Sequence, residues 1–273
     1  MKKYIVTAAA LLTVGLIAGC GGGDSSAPTS VSGKVADGYL VNATVFLDKN
    51  NNYQLDPGEP STLTDGTGYY TLPVDPANMG DGHIVAMAIA GQTTDTDYGT
   101  TPITASYVLS MPATATSGAV GANFISPITS ELREMMETGT YASMREAMAA
   151  LAVKLGLPAE TNLLEDYMLN NNTAMHTTMH NAAQNMATLM GGQMAQVMTG
   201  TSATTTTVDV NRYRAMMGTI FSNMSTVTRT GSQTMATLGN MMTTTLGTMP
   251  MMSGTQTQTY QNMSTAFRGG MMY

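Results

Sequence analysis

The chain of 273 residues has one cysteine, Cys20, no tryptophan and four phenylalanines, and only 11 % of it is charged. A single thiol excludes an intrachain disulfide framework and any cluster held by several cysteines. Beyond the pair Lys2-Lys3 no cluster of lysine and arginine occurs, so the electrostatic footprint of a nucleic-acid binder is missing and no nucleic-acid partner is expected. The chain also lacks a Gly-x-Ser-x-Gly elbow and a phosphate-cradling glycine loop followed by Lys-Ser/Thr. His176 and His180 are spaced as His-x-x-x-His but lack the glutamate that a zinc protease of that spacing uses. These absences favour a protein that is not an enzyme and whose work is binding or structural.

Charge is unevenly placed. Residues 21–170 hold 17 acids against Lys34, Lys49, Arg133, Arg145 and Lys154, whereas residues 171–273 hold Asp209 against Arg212, Arg214, Arg229 and Arg268. The acidic part suits a divalent cation. The later part is poor in solvating groups, which points to a protein partner for its surface.

The start of the chain reads as an address. Met1-Lys2-Lys3 is a short positive region, and residues 4–17 form an apolar run too short to span a bilayer comfortably. The run ends in Leu16-Ile17-Ala18-Gly19-Cys20, which resembles a bacterial lipobox. That resemblance implies cleavage after residue 19, acylation of Cys20 and attachment to a membrane through the lipid. Several acyl chains hold stably, since each buried methylene contributes about 0.8 kcal/mol. By the same analogy, Gly21 after the cysteine implies the outer membrane, on its periplasmic face or at the cell surface. Residues 20–30 are a Gly/Ser/Pro tether.

From residue 31 the pattern is that of short strands: 31–35, 43–47, a hairpin over 61–72 with its turn at Asp65-Gly66-Thr67-Gly68, then 83–89 and 101–109. This spacing predicts a small antiparallel β-sandwich over residues 31–115. The strand ending at Leu47 runs into Asp48-Lys49-Asn50-Asn51-Asn52-Tyr53-Gln54-Leu55-Asp56-Pro57-Gly58-Glu59. Oxygen-bearing side chains fall at positions one, three, five, nine and twelve, namely Asp48, Asn50, Asn52, Asp56 and Glu59, and Gln54 at position seven supplies its backbone carbonyl. Calcium takes six to eight oxygen ligands, and this register offers them. Position six, usually glycine, is Tyr53, which visits the left-handed region less readily, so a looser turn is expected. Asp95 and Asp97 are read as a solvated turn, and His83 as a core or edge residue.

The runs Val35-Ala36-Asp37-Gly38-Tyr39-Leu40, Ala43-Thr44-Val45-Phe46-Leu47-Asp48, Asp56-Pro57-Gly58-Glu59-Pro60 and Thr64-Asp65-Gly66-Thr67-Gly68-Tyr69-Tyr70 resemble the B-type repeats of serine-aspartate surface proteins. They are similar also to collagen-adhesin B-type and carboxypeptidase regulatory-like domains. The resemblance covers roughly residues 31–90 and implies a prealbumin-like sandwich, an adhesive or structural role, and calcium on Asp48, Asn50, Asn52, Asp56 and Glu59.

After Gly121 the apolar period becomes helical, with Ser126 as cap and Pro127 as first helical residue, and a stripe of Ile128, Leu132, Met135 and Met136. Further helices are expected from Ser143 or Thr140, over 172–198 across Gly191-Gly192, and over 208–227, with a Thr-rich linker at 199–207. The fold class is thus α+β, segregated, with a helical region at 122–230 and a low-complexity Thr/Met/Gln tail at 231–273 that is expected to be partly disordered. The helical arrangement resembles uncharacterised envelope lipoproteins and brings no chemistry with it.

Methionine is abundant, with 27 in the chain. Met175, His176, Met179 and His180 share a helix face, and thioethers with imidazole suit Cu(I). Plain packing by a flexible apolar side chain explains the same pattern. The leading expectation is a lipid-anchored cell-envelope protein with a calcium-stabilised sandwich, serving adhesion or assembly; the alternative is an extracytoplasmic copper binder.

Overall fold

The computed structural model describes residues 30–75, 79, 82–113, 123–169, 173–229 and 232–250. Strands come first: β1 (Val31–Val35), β2 (Leu40–Val41), β3 (Thr44–Asp48), β4 (Ser61–Leu63), β5 (Tyr69–Leu72), β6 (His83–Ala88), β7 (Thr94–Asp95), β8 (Tyr107–Ser110) and β9 (Asn123–Ile125). Helices α1 (Pro127–Glu137), α2 (Met144–Lys154) and α3 (Ala174–Val197) follow. A small hairpin of β10 (Met198–Thr199) and β11 (Thr207–Val208) then leads to α4 (Val210–Ser222), α5 (Met224–Val227) and α6 (Ser232–Thr248). The α+β class with sheets before helices is the one the periodicities imply.

One sheet has the order β5-β1-β9, another the order β4-β3-β6-β8, and β2 pairs with β7. Pairing is antiparallel except between β1 and β9, which run parallel. The stretch expected to open the helical region at residue 122 is therefore a strand. Asn123, Phe124 and Ile125 are all buried, a run too short to show any period, and it finds its partner far back in the chain. Gly33 permits the close approach, because a Cβ there would overlap the Asn123 carbonyl.

The hairpin expected over residues 61–72 is not a pair. β4 lies on β3 and β5 lies on β1. The turn itself forms, with Asp65 Oδ1 accepting the N–H groups of Thr67 and Tyr69 at 2.7 and 3.1 Å, but it carries the chain from one sheet to the other. Turn chemistry specifies a reversal and leaves open which sheet takes the next strand. The strand expected over 101–109 is shorter, Tyr107–Ser110.

Along β3, β6 and β8 successive residues are buried, so this sheet is covered on both faces rather than alternating between core and water. β3 and β4 touch β5 of the other sheet, while α1 and α3 touch β8. Tyr213 of α4 donates its hydroxyl to the Val108 carbonyl on β8 at 3.0 Å. The strands β1 to β9 and the helices after residue 126 accordingly share one hydrophobic core.

The helix starts are locally encoded. Ser126 caps α1 by accepting from Thr129 N–H at 3.2 Å, and Thr129 Oγ1 accepts from Ser126 N–H at 2.8 Å, a reciprocal capping box with proline at the first turn. Ser143 caps α2 and Thr173 caps α3. α3 runs through Gly191-Gly192; a Cβ on Gly191 would come within 3.2 Å of Ala105, so the absent side chain lets the helix lie close to the sheet. The expected linker at 199–207 holds the β10–β11 hairpin, and the expected last helix is divided at Asn223 into α4 and α5.

Part of the expected low-complexity tail is ordered as helix. α6 buries Leu238, Met242 and Leu246, one residue per turn. Its threonines satisfy their hydroxyls on their own helix, Thr243, Thr244 and Thr245 each donating to the carbonyl four residues back at 3.0 Å. Tertiary contact with α3 and α4 outweighs the weak helix propensity of threonine. Residues 251–273 lie outside the described residues. Among the described residues no helix is long and apolar enough to cross a membrane.

Candidate metal loop and its buried anchor

Residues 48–59 connect β3 to the approach of β4. Asp48 is fully buried at the end of β3. Its Oδ1 accepts from Asn52 N–H and its Oδ2 from Tyr53 N–H, both at 3.1 Å. Those two bonds close the first half of the loop on the strand tip. Asn50 and Asn52 both direct their side-chain amides to Asp56 Oδ2, at 2.8 and 2.7 Å. Glu59 ties the ends together, Oε1 accepting from Lys49 N–H at 2.8 Å and Oε2 from Asp56 N–H at 3.0 Å. Gln54 donates its N–H to Asn52 Oδ1 at 2.8 Å.

Positions three, five and nine thus meet at one point. Positions one and twelve turn their carboxylates to backbone amides. Burial raises the Glu59 pKa, the Lys49 and Asp56 N–H groups oppose that, and the nearby charges of Asp48 and Asp56 add to the rise. Among the described residues no three His, Cys, Asp or Glu side chains form a metal-holding set. The gathered donors are instead two amides and one carboxylate. They fit calcium in type, because each amide oxygen has two lone pairs, and rotating the Asn50 amide presents its oxygen where its nitrogen now lies. Asp48 and Glu59 likewise keep unused lone pairs while holding N–H groups.

Tyr53 does not loosen the turn. Its φ is 60°, as is that of Asn51, so the left-handed conformation that glycine would adopt is taken by a tyrosine. Such backbone costs on the order of 1–3 kcal/mol and persists where surrounding contacts over-determine it. Those contacts are plain. The Tyr53 side chain is fully buried. The Arg133 guanidinium from α1 lies 4.0 Å from its ring centre, the Tyr213 ring from α4 lies at 4.5 Å, and its hydroxyl hydrogen-bonds Glu134.

Arg133 is the centre of this anchor. Nη2 reaches Asp48 Oδ2 and Asn51 Oδ1, both at 3.4 Å, and Nε bonds Glu137 at 2.8 Å. Arg214 of α4 closes the network on Glu137 at 2.6 Å and Glu134 at 3.5 Å. His83 on β6 contacts Asn51 Oδ1 at 2.7 Å and Glu137 at 3.4 Å. Burial first, then the two guanidinium groups, lower the His83 pKa to about 4 against the pull of Glu137, so the ring is neutral at pH 7. Burial also raises Asp48, and the Arg133 charge is the main opposing influence. Arg133 carries no motif. The one hint in the sequence is that Glu131, Arg133, Glu134 and Glu137 crowd one short helix in a chain otherwise poor in charge.

The other candidate sites are placed as follows. His176 pairs with Glu165 at 3.0 Å, and His180 pairs with Asp97 at 2.7 Å. The two imidazoles therefore serve different carboxylates. Met179 is buried in the core and Met175 packs against it. Met186, Met190 and Met194 are buried as well, which is the packing role of methionine. Cys20 lies outside the described residues.

The turn read as solvated is exposed over residues 96–99 but buries Asp95 at its start. Asp95 is 2 % exposed and Asp37 4 %. Asp97 is held by His180 and by Gln184 Nε2 at 2.7 Å, and Tyr107 donates to Asp37 at 3.1 Å. A Cβ on Gly38 would overlap Asp95 and Asp97, so only glycine passes beside these carboxylates. The sequence shows an Asp-Gly turn and an Asp-x-Asp turn; their meeting is a tertiary event.

Two outcomes follow from this geometry. Arg133→Met leaves Asp48 buried without its cation and should lower stability by about 3–5 kcal/mol in urea unfolding, and Asp48→Asn in the same chain should recover part of that; a loss under about 1 kcal/mol contradicts the network. Burial, with the Asp97 charge assisting and the Asp97 N–H opposing, raises Asp95 from 3.8 to about 6. Between these values Asp95 keeps in the folded chain a proton it has lost in the unfolded chain, so its own contribution to stability should fall as pH rises from about 4 to about 6 and then level. Asp95→Asn should show a smaller fall over that window, and urea midpoints of the two proteins across pH measure the difference.

No family model matches the chain, no curated protein matches it, and no solved structure matches it.

Proposed function

We propose that this is a lipid-anchored protein of the cell envelope with a binding or structural role, adhesion or assembly, whose β-sheet part is fastened by calcium in loop 48–59. The observation that carries the calcium reading is the meeting of Asn50 and Asn52 on Asp56, in a loop whose ends Glu59 joins. Asn50, Asn52 and Asp56 each carry a side-chain oxygen, the donor type a hard cation requires. The likeness to B-type surface repeats supports the adhesive side of the reading. The address rests on the lipobox-like run ending at Cys20. No observation favours the copper alternative, since His176 and His180 are each engaged by a separate carboxylate. The ion's work here is to neutralise crowded carboxylates and hold the strand connection, and no reaction is routed through it.

Extracytoplasmic calcium sites of this kind have dissociation constants on the order of 0.1–1 mM. At about 10 mM calcium, binding to the folded state alone adds about 1.4–2.7 kcal/mol. Thermal unfolding in calcium against chelator should show that gain in the native chain and lose it in Asp56→Ala. Asp56 is the better probe than Asp48, whose removal also strands Arg133. Identical melting curves with and without calcium defeat the reading. Separately, Cys20→Ala should move the expressed protein from the membrane fraction to the soluble fraction; retention in the membrane overturns the anchor.

A further inference from the structure

We infer that the loop and the helical layer are energetically coupled, so that a divalent cation held at residues 48–59 tightens α1 and α4 through Tyr53 and Asp48. This inference rests on the calcium reading above. It concerns what the ion does beyond its own loop.

The route is short and physical. The backbone from residue 48 to residue 53 determines where Asn50 and Asn52 point. Both of its ends are held by helices. At one end Asp48 faces Arg133 of α1. At the other, Tyr53 inserts between Arg133 and Tyr213 and bonds Glu134. Asn51, between them, receives Arg133 and His83 on one oxygen. Asn51 and Tyr53 both stand at positive φ, a conformation that the helical contacts sustain rather than local preference.

The arrangement that gathers the donors is therefore the arrangement that packs the peg. Whatever favours one favours the other, and linkage makes this reciprocal. The opposing influence is the charge of Arg133 on an incoming cation. That charge is already offset by Glu137 at 2.8 Å and by Glu134 nearby, so the packing contribution decides the sign. A loop seated on solvent, with glycine at position six, has no such link and would bind its ion locally.

Hydrogen exchange of the full folded chain, in calcium chloride and in chelator, tests this. In the native protein calcium should slow exchange at least threefold in residues 48–59 and also in α1 and α4. Asp56→Ala, whose hydrogen bonds are all within the loop, should lose both responses. Tyr53→Gly should keep the heat of calcium binding and the loop response while the helix response disappears. If that variant does not fold, Tyr53→Phe, which keeps the ring and loses the bond to Glu134, should show a reduced helix response. Slowing confined to the loop of the native protein overturns the coupling and leaves the calcium reading standing, as does an undiminished helix response in either Tyr53 variant. No heat of binding and no slowing anywhere overturns the calcium reading and this inference together.

Discussion

A guanidinium buried under a carboxylate sets the terms for this structure. Asp48 ends a strand in the interior and Arg133 lies beneath it, both without solvent contact. A buried carboxylate alone is intolerable in a medium of low dielectric, and a buried pair is stable only when its remaining donors and acceptors are used. Here Asn52, Tyr53, Asn51 and Glu137 use most of them, and Arg133 Nη1 is left buried without a hydrogen-bond partner. The strand tip, the loop and the first helix are thereby obliged to stay together. The same obligation puts a tyrosine where a free-standing loop would carry glycine.

The helices do more than cap the sheets. Because β3, β6 and β8 are buried on successive residues, the four-stranded sheet needs cover on both faces, and the helical layer supplies one of them. Methionine suits that layer. Met179, Met186, Met190, Met194, Met216 and Met217 are buried, and an unbranched side chain fills gaps between helices whose crossing no strict heptad specifies. Alanine and glycine between them let the helices come close. A methionine-rich composition thus has a packing origin here.

Local readings were accurate where the physics is local. Ser126 with Pro127 and the Asp65 turn each appear as the sequence implies, since caps and turns are made by side chains bonding to backbone a few residues away. The failures are of one kind. The pairing of β4 and β5 with different sheets, the parallel seat of β9 on β1, the ordering of α6 and the burial of Asp95 all depend on what lies across the core. Single short runs such as 123–125 carry no period, and a Thr-rich helix shows no propensity signal.

The sequence by itself determined the kinds of chemistry available: one thiol near the start, an oxygen-rich loop at a strand end, helices begun by serine and threonine caps, and no basic surface. Only the tertiary structure decided which of those groups act together. Asp48 and Arg133 are 85 residues apart in the chain, and Tyr53 and Glu134 are 81. Spacing along a chain reports which backbone turns are favourable; the cost of burying a charge, and hence its partner, depends on what the fold brings around it.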